Sequence, residues 1–235
     1  MRLFLLILTL LTSNAFAFSM SAQSWLETDY QGNLLEGYNI TEVRSIASIT
    51  KLMTVMAVID NNQNMLQKLG KYTREQHIQL ALVKSDNNSA KVLCDNFPGG
   101  RFECIRYMNE KANYLGMLRT KFVEPTGLSP MNISTALDLH RLVFEASRYS
   151  EIVKASQTPV LNIQVGNKVL SFRNTNPVIG KKYNFIVSKT GSTNAAGSCI
   201  VVMVDTDIGR RIVILLGAKA DKRLPEVEYL SLIHI

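Results

Sequence analysis

The pattern of apolar residues changes near residue 159 of this 235-residue chain. Upstream lies a block with helical spacing, whereas the downstream segments are short, apolar and separated by turn residues, as strands are. Two strands are also expected before the helical block. The expected strands cover residues 24–29, 34–39, 161–165, 168–173, 184–190, 198–205 and 211–217. This order predicts an α+β fold, in which both ends of the chain build one antiparallel sheet flanked by helices, with a helical lobe at about residues 65–150 inserted between its halves.

The helical block shows where individual helices begin and end. Residues 49–59 are apolar on most sides and form a run longer than an ordinary strand, which predicts a buried helix beginning just after Ser48. Thr73 and Gln76 have the spacing of a capping box at the start of the next helix. Further helices are expected at about residues 88–95, at about 102–115 with Gly116 as the stop, at 135–148 with Ser134 as the cap, and at about 224–230.

The first 17 residues have the order of features found in a secretory signal peptide. Arg2 precedes an apolar run at residues 3–11, and Ala-Phe-Ala at residues 15–17 provides a cleavage pattern. The run is too short to span a bilayer, which takes about 20 apolar residues. We therefore expect an exported protein with at most peripheral membrane contact, in which residues 18–235 form a single domain.

The net charge of +7 is uneven, since residues 151–235 carry 11 basic and 6 acidic side chains. In an exported protein, this excess favours an anionic polymer or membrane surface over a nucleic acid as the partner. For any one of these basic residues, an equally supported alternative is that its charge serves only to keep the protein soluble.

Three cysteines are an odd number for an exported chain. Cys94 and Cys104 flank a turn that returns one helix alongside another, so a disulfide between them is geometrically possible, and two buried free thiols are the alternative. Cys199 lies in an apolar strand, where packing is the expected role.

Ser48 and Lys51 form an S-x-x-K pattern at the start of the predicted buried helix. Positions three apart lie on one face of a helix, so the Lys51 amine can reach the Ser48 hydroxyl. A buried lysine with a lowered pKa can act as a base, and the helix N-terminus favours the negative charge that develops on the serine oxygen. Alone, this pattern is expected about once by chance in such a chain, and a helix cap is the simpler interpretation.

Ser85 and Asn87 form an S-x-N pattern between two predicted helices. There, a hydroxyl can relay a proton to a leaving amine, and an amide can hold a substrate backbone. A second S-x-N occurs at residues 192–194, so the three letters alone mean little. The position of Ser85 in the helical lobe favours it over the second copy.

Lys189, Thr190 and Gly191 are expected at the end of a strand. A lysine and a hydroxyl on an edge strand, followed by a glycine that permits close backbone approach, suit a peptide carboxylate bound by strand addition. As an isolated tripeptide, the same pattern is more typical of a strand leading into a turn.

In the order S-x-x-K, S-x-N and K-T-G, the three motifs are far more specific than any one of them. Together with residues 45–54, 122–128, 173–176 and 189–197, they resemble the D-alanyl-D-alanine peptidases of the low-molecular-mass penicillin-binding proteins, relatives of the serine β-lactamases. The resemblance covers about residues 24–220 and is closest to the periplasmic endopeptidases. It implies a DD-peptidase/β-lactamase-like fold and a periplasmic serine hydrolase without cofactor or metal. It also implies peptidoglycan stem peptides as substrates and β-lactams as covalent inhibitors.

The resemblance implies a role for each motif residue. The backbone N–H groups of Ser48 and Ser192 are expected to form the oxyanion hole. The residues assigned to catalysis are Ser48 as nucleophile, Lys51 as base and Ser85 as proton relay. Those assigned to substrate binding are Asn87, Lys189, Thr190, Gly191 and Ser192.

Other enzyme classes are less well supported by the residues. The three histidines show no zinc-site spacing, and none accompanies a cysteine in a recognisable motif. A β-lactamase needs a base for deacylation, and Glu124 is the candidate, but its segment fits the DD-peptidase pattern better.

The connection between the first two motifs bears on substrate preference. Only 34 positions separate Lys51 from Ser85, which is short for the family that the chain resembles. A shorter rim leaves room for a branched leaving group and favours an endopeptidase that cuts cross-links, with a carboxypeptidase as the alternative. A catalytically impaired module that binds peptidoglycan or β-lactams is the alternative from another class.

Overall fold

The structure is a computed structural model that describes residues 19–181 and 183–232. The predicted signal peptide, residues 1–17, lies outside the described residues. The strands are β1 (Ser24–Asp29), β2 (Leu34–Tyr38), β3 (Arg44–Ser45), β4 (Lys68–Leu69), β5 (Tyr72–Thr73), β6 (Ile133–Ser134), β7 (Val160–Val165), β8 (Lys168–Arg173), β9 (Asn184–Thr193), β10 (Gly197–Thr206) and β11 (Gly209–Ala218). The helices are α1 (Thr50–Asp60), α2 (Arg74–Val83), α3 (Asn87–Asp95), α4 (Gly100–Tyr114), α5 (Ala136–Ala146), α6 (Ser150–Ser156) and α7 (Arg223–Leu232).

The main sheet is antiparallel and combines strands from both ends of the chain. Its order is β2-β1-β11-β10-β9, so the N-terminal hairpin pairs with the last strand, and β9 forms one edge. The long strands β10 and β11 are apolar almost throughout, because both faces of the sheet are covered. The predicted α+β architecture is confirmed.

The core has two parts, one on each face of the sheet. The larger part packs α1 to α6 against one face, and α1 is its centre, since residues 50–58 are all buried. The smaller part lies under α7 on the other face and includes Trp25, Phe185 and Leu230. The helix predicted after Ser48 therefore lies at the centre of the larger part, where it packs against α2, α3, α4 and α5.

Most of the predicted helices and strands are observed, and the differences concern a helix cap and the pairing of one hairpin, together with the end of strand β9. Thr135, rather than Ser134, caps α5 by accepting a hydrogen bond from the Asp138 backbone N–H at 3.0 Å, while Ser134 pairs with Arg44 between β6 and β3. The predicted hairpin at residues 161–173 forms, but β7 and β8 pair with each other as a separate sheet. An alternating apolar pattern identifies a strand without identifying its neighbour.

Cys94 and Cys104 form a disulfide between the end of α3 and the first turns of α4, and Cys199 is a buried free thiol in β10. The disulfide ties together two helices of the lobe that carries Asn87. No helix within the described ranges is long and apolar enough to cross a membrane.

Candidate active site

Ser48 lies in a single 3-10 turn, Ala47–Ile49, that leads into α1. The turn is tightly enclosed by two glycines. A Cβ atom on Gly127 would lie 1.9 Å from the Ala47 carbonyl oxygen, and one on Gly191 would lie 2.8 Å from the Ser48 nitrogen. Ala47 has a positive φ of 46°, which is uncommon for a residue with a side chain. Close backbone packing therefore fixes the position of Ser48.

Lys51, in the first turn of α1, is fully buried with an exposed fraction of 0%. Its Nζ atom donates hydrogen bonds to Ser48 Oγ at 2.8 Å, Asn87 Oδ1 at 2.7 Å and the Thr126 carbonyl at 2.6 Å. Burial lowers the pKa of Lys51 to about 8, against the opposing effects of the negative charges on Glu124 and Asp86. Roughly a tenth of the Lys51 side chains are thus unprotonated at neutral pH.

The S-x-N motif connects α2 to α3. Asp86 caps α3 by accepting a hydrogen bond from the Ser89 backbone N–H at 2.7 Å, so Asn87 becomes the first helical residue and its amide reaches Lys51. Ser85 has a positive φ of 59°, and its Oγ atom accepts a hydrogen bond from Lys189 Nζ at 2.8 Å. The sharp turn at Ser85 therefore directs the side chains of Ser85 and Asn87 toward different lysines, Lys189 and Lys51.

Lys189 lies on the edge strand β9 with an exposed fraction of 1%. Its Nζ atom also donates to the Thr190 carbonyl at 2.8 Å, while Thr190 Oγ1 donates to Thr175 Oγ1 at 2.7 Å. Burial, together with the positive charges of Lys51 and Arg223, holds the pKa of Lys189 well below its usual value. The K-T-G motif was predicted to end the strand, but β9 continues to Thr193 because residues 189–193 pair with β10.

The structure brings the predicted site residues into two adjoining networks. Ser48, Lys51 and Asn87 form the first, and Ser85, Lys189 and Thr190 form the second. Gly191 lies against the Ser48 nitrogen, and Ser192 follows it on β9. The second S-x-N, at residues 192–194, lies where β9 turns into β10.

Several contributors to the site carried no assigned role in the sequence. The Thr126 carbonyl, the Thr175 hydroxyl and the nearby charge of Arg223 all act on the motif residues. Residues 122–128 and 173–176 were part of the family resemblance, which was the available signal for Thr126 and Thr175. Arg223, at the start of α7, had no such signal.

The chemistry that this arrangement can perform is a serine acylation. A lysine amine with a lowered pKa contacts a serine hydroxyl at a helix start, and a second lysine beside it can hold an anionic group. Across the described residues, no group of three or more His, Cys, Asp or Glu side chains is placed to hold a metal ion.

Comparison with known proteins identifies the family. The model of peptidase S11, described as D-alanyl-D-alanine carboxypeptidase, matches residues 11–69 and 60–220. The chain belongs to the S11 family of peptidases. Among S11 relatives, the D-alanyl-D-alanine endopeptidase of Pseudomonas aeruginosa is 38% identical over 207 residues, which cover 78% of this chain and 67% of the relative. The endopeptidase of Escherichia coli is 40% identical over 183 residues, covering 68% of this chain and 59% of the relative.

Solved structures confirm the predicted DD-peptidase fold for this S11 member. Penicillin-binding protein D2 from Listeria monocytogenes, in its ampicillin-bound form, matches with a TM-score of 0.81 at 27% identity, covering 90% of this chain and 96% of that one. The Streptomyces K15 DD-transpeptidase matches with a TM-score of 0.83 at 20% identity and the same coverage, which supports the fold alone.

Proposed function

We propose that this S11 peptidase cleaves D-alanyl peptide bonds in peptidoglycan stem peptides through an acyl-enzyme on Ser48. The observation that carries the proposal is the 2.8 Å contact between Lys51 Nζ and Ser48 Oγ, made by a lysine whose pKa is lowered to about 8. The family match and the relatives named D-alanyl-D-alanine endopeptidase support the substrate class. The signal-like segment at residues 1–17 supports export to the periplasm.

Acylation begins when neutral Lys51 removes the Ser48 proton as the oxygen attacks the carbonyl carbon of the penultimate D-alanine. The tetrahedral oxyanion is held by the backbone N–H groups of Ser48 and Ser192, a type of contact worth about 3 kcal/mol of barrier per donor. The intermediate collapses as the Ser85 hydroxyl passes its proton to the leaving amine, which breaks the C–N bond, and the proton that Lys51 took from Ser48 replaces it on Ser85. Water then attacks the ester carbonyl, its hydroxyl group stays on the released peptide, and its proton goes to Ser48 as the ester bond breaks.

Lys189 and Thr190 are proposed to bind the substrate carboxylate next to the reacting carbonyl. In the free protein the pKa of Lys189 is held well below its usual value, and an arriving carboxylate raises it again because opposite charges favour each other's ionised form. Carboxylate binding is therefore coupled to proton uptake by Lys189. The Ser85 hydroxyl, already bonded to Lys189 Nζ, links this step to the proton relay.

The Lys189→Ala substitution is expected to weaken peptides and penicillins together, because both present a carboxylate. The second-order rate constant for acylation should fall by about 30-fold to 100-fold, the size of a lost charge-assisted contact. Stopped-flow measurement with a fluorescent penicillin gives this constant. Lys181→Ala removes an exposed lysine from the same chain region and controls for net charge. Unchanged acylation efficiency in Lys189→Ala would remove Lys189 from carboxylate binding.

We further propose that cross-linked muropeptide dimers are preferred over free pentapeptide ends. The two relatives compared above are both named D-alanyl-D-alanine endopeptidase, which supports this preference. The short connection between Lys51 and Ser85 adds a physical reason, because beyond the end of α1 the elements it contains are the two short strands β4 and β5 and the helix α2. A low rim on that side leaves space for a branched leaving group.

Protein lacking residues 1–17 should release monomers from a purified dimer faster than it releases D-alanine from pentapeptide. Both substrates are incubated in parallel at equal concentration, and the products are separated by chromatography. Ser48→Ala protein, run beside them, reports any contaminating peptidase. D-Alanine release with the dimer left intact would establish the carboxypeptidase alternative and leave the serine DD-peptidase proposal in place.

A β-lactamase function is less compatible with the site than a DD-peptidase function. Glu124, the sequence-based candidate for a deacylating base, directs both carboxylate oxygens at donors of its own loop, including the Thr126 and Gly127 backbone N–H groups. A carboxylate committed in this way is poorly placed to activate water. Penicillin is therefore expected to remain bound as a long-lived acyl-enzyme.

A further inference from the structure

Glu124 lies in the segment between α4 and β6 and has its side chain folded back onto that segment. Its carboxylate is an acceptor-only group, and five donors among the described residues surround it. The donors are Thr126 N at 2.7 Å, Thr126 Oγ1 at 2.6 Å, Gly127 N at 2.5 Å, Ser129 N at 3.3 Å and Asn132 Nδ2 at 3.0 Å. Hydrogen bonds to a charged acceptor are the stronger kind, so one side chain determines the shape of this segment.

The segment held by Glu124 touches the lysine of the S-x-x-K motif. The Thr126 carbonyl accepts the shortest of the three hydrogen bonds from Lys51 Nζ, at 2.6 Å. The Thr126 hydroxyl is occupied within the segment, since it donates to Glu124 and accepts from the Leu128 backbone N–H at 3.1 Å. Only the backbone carbonyl of Thr126 is therefore directed at Lys51.

A second path leads from Glu124 to the turn that holds Ser48. Asn132, fully buried, donates through Nδ2 to Glu124 and to Thr50 Oγ1 at 3.1 Å. Thr50 Oγ1 in turn donates to the Ala47 carbonyl at 2.8 Å, the same oxygen against which Gly127 is packed. The carboxylate thus supports both members of the motif without contacting either side chain.

We propose that Glu124 is a positioning residue of the reaction, whose carboxylate shapes its segment so that the Thr126 carbonyl stands within hydrogen-bond distance of the Lys51 amine. The inference rests on the proposed function, in which Lys51 is the base. A carbonyl at this place stabilises the protonated amine and orients its remaining lone pair or proton toward Ser48. Glu124 therefore influences both the direction and the basicity of the base.

Charged groups are coupled to Lys51 in two ways. The negative charges of Glu124 and Asp86 favour the protonated amine of Lys51, and the positive charge of Lys51 lowers the pKa of Lys189. Asp86 is committed to the cap of α3. Removing the charge at Glu124, and loosening the carbonyl, should both lower the pKa of Lys51, because each change destabilises its charged form.

The test measures the rate constant of acylation by a fluorescent penicillin across a pH series. The acid limb of this profile reports the deprotonation of Lys51. In Glu124→Gln, its midpoint should fall by about half a pH unit to one unit, as expected for a charge lost near a buried group. The plateau value of the acylation rate constant should fall about tenfold. The glutamine amide nitrogen is a donor, so it cannot accept the hydrogen bonds that the segment donates to the Glu124 carboxylate. Glu124→Asp keeps the charge but is shorter by one methylene, so its midpoint should fall less.

Asp138 provides a matched control, because its carboxylate accepts hydrogen bonds from the Arg119 backbone N–H and the Thr120 hydroxyl, both at 2.8 Å. Its charge is not among those that shift Lys51. Asp138→Asn should disturb a similar loop and leave the midpoint unchanged. A midpoint in Glu124→Gln equal to that of the unsubstituted protein overturns the proposal. If circular dichroism shows that Glu124→Gln is unfolded, the Glu124→Asp variant provides the test. An unchanged midpoint in Glu124→Asp then overturns the proposal.

The same experiment separates this inference from the proposed function. If the unsubstituted protein shows no labelling that depends on Ser48, the proposed function fails before the pH profiles are compared. If labelling occurs and the midpoints of the folded Glu124 variants do not move, the positioning role alone fails.

Discussion

Replacing Ser48 by alanine is expected to abolish covalent labelling by fluorescent penicillin while leaving the fold intact. The alanine side chain has no oxygen to form the ester, and loss of a serine nucleophile in other hydrolases costs about six orders of magnitude in rate. The substitution should change the stability of the folded state little. Lys51 keeps two of its three acceptors, Asn87 Oδ1 and the Thr126 carbonyl, so the free energy of unfolding should change by about 1 kcal/mol or less.

Intact-mass spectrometry after incubation with penicillin measures this prediction directly, and thermal unfolding followed by circular dichroism reports the fold. Ser45→Ala is the matched control, since Ser45 lies three positions upstream and its hydroxyl has no hydrogen-bond partner among the described residues. That variant should be labelled at the normal rate. A drug adduct persisting on Ser48→Ala would assign the nucleophile elsewhere. An unlabelled but folded parent protein would favour the non-catalytic binding module instead.

The sequence predicted those parts of the structure that are recorded in residue type and spacing. The Thr73–Gln76 capping box is present, because both of its hydrogen bonds are made by side chains that the sequence specifies. Ser48 and Lys51 meet because positions three apart share a helix face once α1 begins there. The sheet built from both chain ends followed from the placement of apolar runs, which have few ways to be buried together.

The parts that could not be predicted depend on backbone atoms and on contacts between distant segments. The carbonyl that accepts from Lys51 belongs to Thr126, 75 positions away, and every residue type offers the same carbonyl. The positive φ values of Ala47 and Ser85 have no local signal either, because neither residue type favours the left-handed region. Such strain persists only where surrounding structure enforces it. The Gly127 and Gly191 contacts with the Ser48 turn provide that enforcement at Ala47.

The second large effect is expected at Lys51, where both arginine and methionine should lower acylation by roughly a thousandfold or more. Arginine keeps the positive charge, but its guanidinium does not lose a proton in proteins and cannot act as a base. Methionine keeps much of the volume and removes the amine. It leaves Asn87 Oδ1 and the Thr126 carbonyl without their donor, so a loss of about 1 to 3 kcal/mol in the free energy of unfolding should accompany it.

Lys84→Arg is the matched control for this substitution, because Lys84 is a half-exposed lysine next to Ser85 and forms no part of the two networks. It should be acylated at the normal rate. Rapid acylation of a folded Lys51→Arg protein at neutral pH would refute the assignment of Lys51 as base. It would leave Lys189, the other buried lysine that bonds to a serine of the site, as the candidate.

The pH profile of the acylation rate constant in the unsubstituted protein is a quantitative test of Lys51 as the base. Below its pKa of about 8, Lys51 is mostly protonated and cannot accept the Ser48 proton, so acylation should rise with pH and level off above that value. Lys189 acts in the opposite sense, because it holds a carboxylate only while protonated, and its pKa is also depressed. Its deprotonation should contribute a falling limb to the profile. Lys189→Ala should remove the falling limb and keep the rising one, whereas a rising limb lost in Lys189→Ala would mean that the two lysines have exchanged roles.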